Sequence, residues 1–354
     1  MLVGEYMWPW YQEACALALE KLGCVVERFK WFDDFHKWLP DHIEPVFHSF
    51  WHRLQYRFHQ GPIVWILNRR LISLALDKRP DIIWFYNVHL ITPRTIRKLK
   101  KLLPNICLVQ YANDNPFSLQ ARPSLWKNFL KSIPLFDLHI AYRKSNLVDF
   151  KNYGARSVHL LRSYFIPDED YPVANKNIPE RFKCDVVFAG HYENDGRVEM
   201  LEEICKAGYH LNLFGGGWDK ALSRLSPCSP LRSKFPIVPV INDEYRYAIC
   251  GAKVALCFLS KLNIDTYTRR NFQIPAMKTA MLSEWSEDLS RLFNENIECN
   301  FFKNKNELLQ KLDKLLADNN YRKKISMNGY KKVYKSKHDI NNSMKNFLYH
   351  LKKL

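Results

Sequence analysis

The sequence has no run of about 18 or more apolar residues, so no membrane-crossing helix is expected. The longest candidate, Ile63 to Leu76, is broken by Asn68-Arg69-Arg70. The opening residues, Met1-Leu-Val-Gly-Glu-Tyr6, lack the charged and long apolar segments of a secretory signal, and none is expected. The nine cysteines form no Cys-x-x-Cys pair and no Cys/His group at zinc spacing. Cys107 and Cys257 stand inside apolar runs and read as small buried hydrophobes in a reducing compartment. Asp33-Asp34 and Asp168-Glu-Asp170 lack the strand context of an Asp-x-Asp metal motif, so no metal is expected. These absences fit a cytoplasmic protein, free or peripheral on the cytoplasmic membrane face.

Acidic residues are also scarce. Thirty-six Asp and Glu stand against fifty-three Lys and Arg, a net charge of +17. The excess suits an anionic partner: nucleic acid, an anionic membrane surface or a phosphorylated substrate. No RNP-type or helix-turn-helix signature supports nucleic acid, which is not expected as a partner. Part of the excess lies in the Lys-rich tail from Lys303 to Leu354, a solvated helix face or a membrane-attracted one. The stretch His36 to Leu76 mixes Trp38, Phe47, Phe50, Trp51, Phe58 and Trp65 with Arg53, Arg57, Arg69 and Arg70. It reads as helix broken at Gly61-Pro62, facing either the core or an interface.

At 354 residues the chain exceeds what one core usually serves, so two domains are expected. Leu2–Gly4, a helix over Gln12–Leu22 stopped by Gly23, and a strand over Cys24–Phe29 make a first β-α-β unit. Strand runs follow at Asp81–Tyr86, Ile106–Tyr111 and Leu138–Tyr142, alternating with helices near Pro93–Leu102 and Asn146–Tyr153. Val173 to Phe182 has no periodicity and reads as a linker. The alternation then restarts with strands Asp185–Ala189, His210–Phe214 and Val254–Leu259, and ends in amphipathic helices from Glu307 onward. This rhythm predicts two doubly wound parallel-sheet domains in tandem. The expected division is 1–172, a linker at 173–182, 183–335, and a basic C-terminal helix at 336–354 that crosses back to the first domain.

Open parallel sheets bind ligands at the carboxyl ends of their strands. Three loops in the second half have suitable sequence. Gly190-His-Tyr-Glu-Asn-Asp-Gly-Arg197 offers close backbone approach and an Arg at a helix N-terminus, which either binds phosphate or pairs with Asp195 or Glu199. Phe214-Gly-Gly-Gly-Trp218 either approaches a nucleotide or makes a tight turn. Leu259 to Ala276 gathers Asn263, Asp265, Thr266, Tyr267, Thr268, Arg269 and Arg270, polar residues useful beside a polar ligand.

Those three segments in order, with Phe272-Gln-Ile-Pro-Ala276, Leu282-Ser-Glu-Trp-Ser-Glu287 and Asn328-Gly-Tyr330, resemble the CgeB-like (spore maturation protein) glycosyltransferases. The resemblance runs over Cys184 to His338, extends more weakly to Pro80–Ser163, and reaches the retaining family-four glycosyltransferases more distantly. It implies a GT-B fold, two tandem Rossmann-like domains with an interdomain cleft. It also implies a retaining, metal-independent sugar transfer from a UDP- or GDP-linked donor. The acceptor would be a glycan or lipid-linked molecule held by the first domain, at or near an anionic membrane.

In that wider family an acidic pair at E-x7-E spacing contacts the donor sugar and ribose. By resemblance Asp265 takes the first position and Gln273 the second, where an amide accepts a hydroxyl hydrogen bond without charge assistance. Lys278 replaces a Gly that ordinarily follows the Pro-Ala pair. Asp265, Arg270 and Arg197 are the expected catalytic groups, the arginines meeting the departing diphosphate. The donor would further meet Gly190, His191, Asn194, Gly196, Gly215, Gly216, Lys261, Asn263, Thr266, Tyr267, Thr268, Arg269 and Gln273. On the acceptor side stand Gly4, Glu5, His89 and Asp114, with His89 or Asp114 the base if transfer were inverting. The rival readings are a noncatalytic GT-B scaffold that binds a partner, motivated by Gln273 and Lys278, and a nucleic-acid binder resting on charge alone.

Overall fold

A computed structural model describes residues 1–37, 45–121 and 123–353, with backbone alone for residues 34, 36–37 and 45–49. Trp38 and the Phe47 side chain therefore lie outside the described residues. The chain divides into two compact units, one of Met1–Arg162 with Ile340–Leu354, the other of Ser163–Asp339. The division falls at Arg162, ahead of the expected linker. Val173 to Phe182 is instead part of the second unit, because Ile178 and Phe182 are buried there beside two short 3-10 turns.

The first unit is built on β1 (Leu2–Gly4), β2 (Arg28–Lys30), β3 (Ile82–Tyr86), β4 (Cys107–Ala112), β5 (Leu138–Ala141) and β6 (Val158–Leu160). They form one parallel sheet in the order β2-β1-β3-β4-β5-β6. Helices cover both faces, so the central strands are apolar throughout: Ile83, Trp84, Phe85 and Tyr86 are all buried. The helix Pro93–Leu102 starts where the sequence says it should: Thr92 accepts a hydrogen bond from the Thr95 amide, and Pro93 follows it. β2 begins later than expected. Val25 is 99% exposed, and the strand instead forms around Arg28, whose guanidinium holds Glu13 and Glu20 of the preceding helical segment. The helix Ile340–Leu351 completes this unit by stacking Phe347 on Trp84, ring centroids 4.3 Å apart.

The second unit carries β7 (Cys184–Ala189), β8 (Leu211–Phe214), β9 (Ala252–Cys257), β10 (Ala280–Glu284) and β11 (Asn300–Phe302), paired in parallel in the order β11-β10-β9-β7-β8. Both units share one winding: the first two strands are neighbours, and the third lies on the other side of the first. The order therefore reverses between β1 and β3, and again between β7 and β9. Those are the points where loops part and a crevice opens at the carboxyl ends. The core of the second unit runs through Val186, Phe188, Leu213, Val254, Leu256 and Leu282, capped by Trp218 and by Leu308 and Leu312 of the Lys305–Ala317 helix.

The turn at Lys278 takes the left-handed conformation that glycine adopts most readily. The Arg270–Ala276 helix ends in a left-handed residue, Lys278 at φ +59°. The Lys278 amide donates to the Pro275 carbonyl (2.8 Å) and the Thr279 amide to the Ile274 carbonyl (3.3 Å). This paired closure is a Schellman motif, which favours glycine because a Cβ is strained there. Lys278→Gly should therefore stabilise the protein by about 0.5–1 kcal/mol, the relieved strain less the added entropy of glycine in the unfolded chain. A rise in the thermal midpoint checks it.

Candidate functional site

At the reversal point of the second sheet, the loop after β7 lies against the loop after β8. The Gly190 amide donates to the Phe214 carbonyl (2.8 Å), the Tyr192 amide to the Gly216 carbonyl (3.0 Å), and Trp218 Nε1 to the Gly190 carbonyl (3.0 Å). Gly215, at φ +149°, touches that carbonyl so closely that an added Cβ would lie 1.9 Å from its oxygen. A Cβ on Gly216 would meet the His191 ring at 3.0 Å. Gly215 and Gly216 were expected to approach a nucleotide; what they approach is the neighbouring loop. That packing sets the position of Gly190.

Arg197 is also committed within its loop. Its side chain is 2% exposed, and Nε and Nη2 donate to the Asp195 carboxylate (2.8 and 2.6 Å) while Nη1 donates to the His191 carbonyl (2.5 Å). This bidentate pair clips the ends of the 190–197 loop together. Of the alternatives read from the sequence, pairing with Asp195 is the one found, so Arg197 holds the loop in place of reaching out to a phosphate. Gly196, at φ +96°, leads into the Arg197–Lys206 helix. Lys261 reaches the same corner from the loop after β9, donating Nζ to the Asp195 carbonyl. An exposed ammonium thus stands beside the start of a ten-residue helix, whose amides are oriented to receive an anion.

Arg270 approaches from the other side. Its guanidinium carbon lies 5.8 Å from the Phe188 ring centre, with Arg197 at 5.7 Å from the same ring. A Cβ on Gly190 would come within 3.4 Å of that carbon. Gly190 is thus flanked by Arg270, and an added Cβ would clash with the Phe188 ring, 2.7 Å away.

The loop from Leu259 to Arg269 is braced by residues the sequence did not single out. Ser260 donates to Glu193 (2.9 Å), and the Asp265 amide donates to the Ser260 carbonyl (2.8 Å). Asn271, fully buried, accepts from the Thr268 amide (2.7 Å) and donates to Ser283 on β10 (2.9 Å). Thr266 donates to Asp288 (3.2 Å). Tyr267 and Thr268 are buried, Tyr267 edge-on to Phe272 at 5.7 Å, so both support the loop from within. Asn263, Asp265 and Thr266 remain half-buried on its surface, and His191 and Asn194 are exposed on the facing loop.

Gln273 is held from both ends. Its Nε2 donates to Asp170 (2.8 Å) and its Oε1 accepts from the Tyr245 hydroxyl (3.2 Å). Burial keeps that phenol protonated, far above its ordinary range. Asp170 is itself buried, and its other oxygen accepts from the Ile166 amide (2.8 Å) and lies 3.4 Å from Arg269. A carboxylate at 273 would face the Asp170 carboxylate, so the buried pair requires an amide here. Gln273 and Arg269 thereby anchor the helix to Asp170, about a hundred residues earlier, with no local signal in the sequence.

In the first unit the reversal point places Glu5, after β1, near Asp114, after β4, with Asn87 Nδ2 donating to Asp114 (3.3 Å). Burial, and then the Asp114 charge, push the Glu5 carboxyl up to about 7. Gly4 makes room for Gln12, whose Cγ lies 2.5 Å from where a Cβ would be. His89 is a correction: it is buried against Trp126 (4.5 Å) and His59 (6.3 Å), and burial lowers it to about 3. It is a neutral core ring and no general base. A separate cleft of about 630 Å³ borders β2, but three acids and three bases line it (Glu27, Asp33, Asp77; Arg28, Lys30, Arg70), giving it no preferred ligand charge. No group of three or more His, Cys, Asp and Glu suited to a metal occurs among the described residues.

Known structures share this architecture over the whole chain. Anabaena HepE, determined with UDP and glucose, superposes with a TM-score of 0.69 at 11% identity, covering 100% of this chain and 99% of that one. The fold is GT-B. Escherichia coli "trehalose-6-phosphate", with bound UDP-2-fluoro glucose, gives 0.64 at 14% identity over 100% and 98% of the two chains. Sucrose-phosphate synthase of Thermosynechococcus elongatus gives 0.59 at 13%, over 82% and 81%. Residues 197–349 match the family model described as glycosyl transferase-like, and no curated protein sequence matches closely. Family model and GT-B fold together support the enzyme class expected from the sequence, a glycosyltransferase.

Two consequences are testable in the unliganded protein. Gly215→Ala must move a backbone carbonyl, and should destabilise the protein by about 2–4 kcal/mol, measured by denaturant unfolding. Glu5 has a folded pKa raised above its unfolded value, so the folded state binds the extra proton. Its contribution to stability falls as pH rises from about 4.5 to about 7, and the cost is full above that. Glu5→Gln should therefore raise stability by on the order of 1–3 kcal/mol at pH 8 and leave it unchanged at pH 4.

Proposed function

We propose that this chain transfers a sugar from a nucleoside-diphosphate sugar to an acceptor hydroxyl, with the donor held by the second unit and the acceptor by the first. One observation carries the reading. At the reversal point between β7 and β9, Arg270 lies against Gly190, while Lys261 stands beside the start of the Arg197–Lys206 helix. A departing nucleoside diphosphate needs fixed positive charge, and two cationic side chains with helix amides supply it without a metal. Asp265, half-buried on the loop after β9, suits donor hydroxyls. The UDP-bound states of the similar structures favour a uridine donor over a guanosine one.

The CgeB-like grouping, front-face transfer with retention, and a glycan or lipid-linked acceptor belong to this proposal. Glu5, with its raised pKa beside Asp114, is the group in the first unit best suited to manage an acceptor proton near neutral pH. A second reading has its own support. Gln273 is an amide tied to Asp170 and Tyr245, so a noncatalytic GT-B scaffold that binds a partner is the alternative.

Thermal shift decides whether the site is real. UDP or a UDP-sugar should raise the midpoint of the wild-type protein, and Arg270→Ala should abolish the rise while leaving the unliganded midpoint near its own value. Turnover of a matched donor should fall by about 10²–10³-fold in Arg270→Ala and markedly in Asp265→Ala. If no nucleoside diphosphate or nucleotide sugar shifts the wild type, the proposal fails. Binding without turnover supports the scaffold.

A further inference from the structure

Over residues 50–58, the helix Pro45–Phe58 turns aromatic rings outward and imidazole inward. Phe50, Trp51 and Phe58 are 58%, 60% and 57% exposed, whereas His52 and His59 are buried. At about 100° per residue, Phe50, Leu54, Phe58 and Trp51 share one side, with Arg53 and Arg57 along its edge. The inward side carries His52, Tyr56 and His59: His52 Nε2 lies 3.2 Å from the Phe35 carbonyl, and Tyr56 packs near Phe35. A surface helix ordinarily turns its apolar stripe to the core and its polar one to water. The next helix, Pro62–Lys78, has an ordinary core face but also exposes apolar side chains. Val64, Leu67, Leu71 and Ala75 face the core, and Trp65 (67% exposed), Arg69 and Leu76 share the outer face.

Charge selects the partner. From Pro45 to Leu76 there is no Asp or Glu, and Arg53, Arg57 and Arg69 are exposed among the aromatics. The Arg57 guanidinium lies 6.0 Å from the Phe58 ring centre, so cation and aromatic are presented together. Exposed Phe and Trp rings demand an apolar environment, and guanidinium groups at the rim demand anions at the same depth. The headgroup and acyl boundary of an anionic bilayer offers both. A nucleic acid would match the charge but leave the Phe and Leu surface without an apolar partner.

We propose that the exposed faces of Pro45–Phe58 and Pro62–Lys78 dock this protein on an anionic phospholipid surface. Phe50, Trp51, Phe58 and Trp65 enter the interface, and Arg53, Arg57 and Arg69 meet the lipid phosphates. The proposal goes beyond the donor site and stands without it, since docking requires no nucleotide.

The test is co-sedimentation of the full-length protein with phosphatidylcholine vesicles containing or lacking phosphatidylglycerol. The wild type should sediment with the anionic vesicles only, and less so as salt is raised. Trp51→Ala/Trp65→Ala and Arg53→Gln/Arg57→Gln should each lower the partition coefficient by about tenfold or more. Both sets of side chains are exposed, so circular dichroism and thermal midpoint should not change. Three results would overturn the proposal. The wild type stays in the supernatant with anionic vesicles; the variants sediment as well as the wild type; or light scattering shows a dimer that the tryptophan variant dissolves, which makes a second copy the occupant.

Discussion

In the second unit the Gly190 carbonyl lies so near Gly215 that an added Cβ would come within 1.9 Å of its oxygen, and no side chain fits. Much of the candidate site depends on it. It brings the loop after β8 against the loop after β7, and Trp218 then fixes the same carbonyl through its indole N–H. With Gly190 held there, Arg270 has a place to lie and the 190–197 loop has an anchored start. The glycines therefore serve a possible ligand indirectly, by fixing the wall against which it would bind.

The charged residues divide into those that build the wall and those that face outward from it. Arg197 and Asp195 neutralise one another in a buried bidentate pair that stiffens the loop. Asp170 does the same for the neighbouring helix, gathering Gln273, Arg269 and the Ile166 amide. A buried ion or amide of this kind is costly to leave unpartnered, so each fixes its neighbours' positions. The side chains at Lys261 and Asp265 stay nearer solvent, where a ligand can be met. The amide at 273 follows from this arrangement: with the Asp170 side chain accepting beside it, an N–H donor is the compatible residue.

The first unit inverts an ordinary rule in one segment. Most of its sheet and helices bury apolar stripes, as β3 and the Pro93–Leu102 helix do. Residues 50–58 bury an imidazole, half-bury a phenol and expose benzene and indole rings. Composition marked this stretch as aromatic and basic, but the same composition serves a core helix with a basic outer face. Only the burial of individual residues separates the two.

The alternation of apolar runs with amphipathic helices determined the doubly wound architecture, because a parallel strand covered on both faces must be apolar along its length. It also located β3, β4, β5, β7, β8 and β9 to within one or two residues. The three-residue strands β6 and β11, and β10 behind the Lys278 turn, were too short or too close to a turn for periodicity to show. The three loops were legible as a set, since glycines and polar clusters following strands mark the carboxyl ends of a sheet. Which members of each loop face outward was decided by the tertiary structure alone. Arg197 and Arg270 are the same residue type and each opens a helix, yet one is clipped to Asp195 and the other lies along Gly190. Asp170 and Tyr245 meet Gln273 across about a hundred and about thirty residues of chain, and His89 is neutral because Trp126 and His59 surround it. Such pairings arise from the packing of distant segments, and a linear sequence carries no local mark of them.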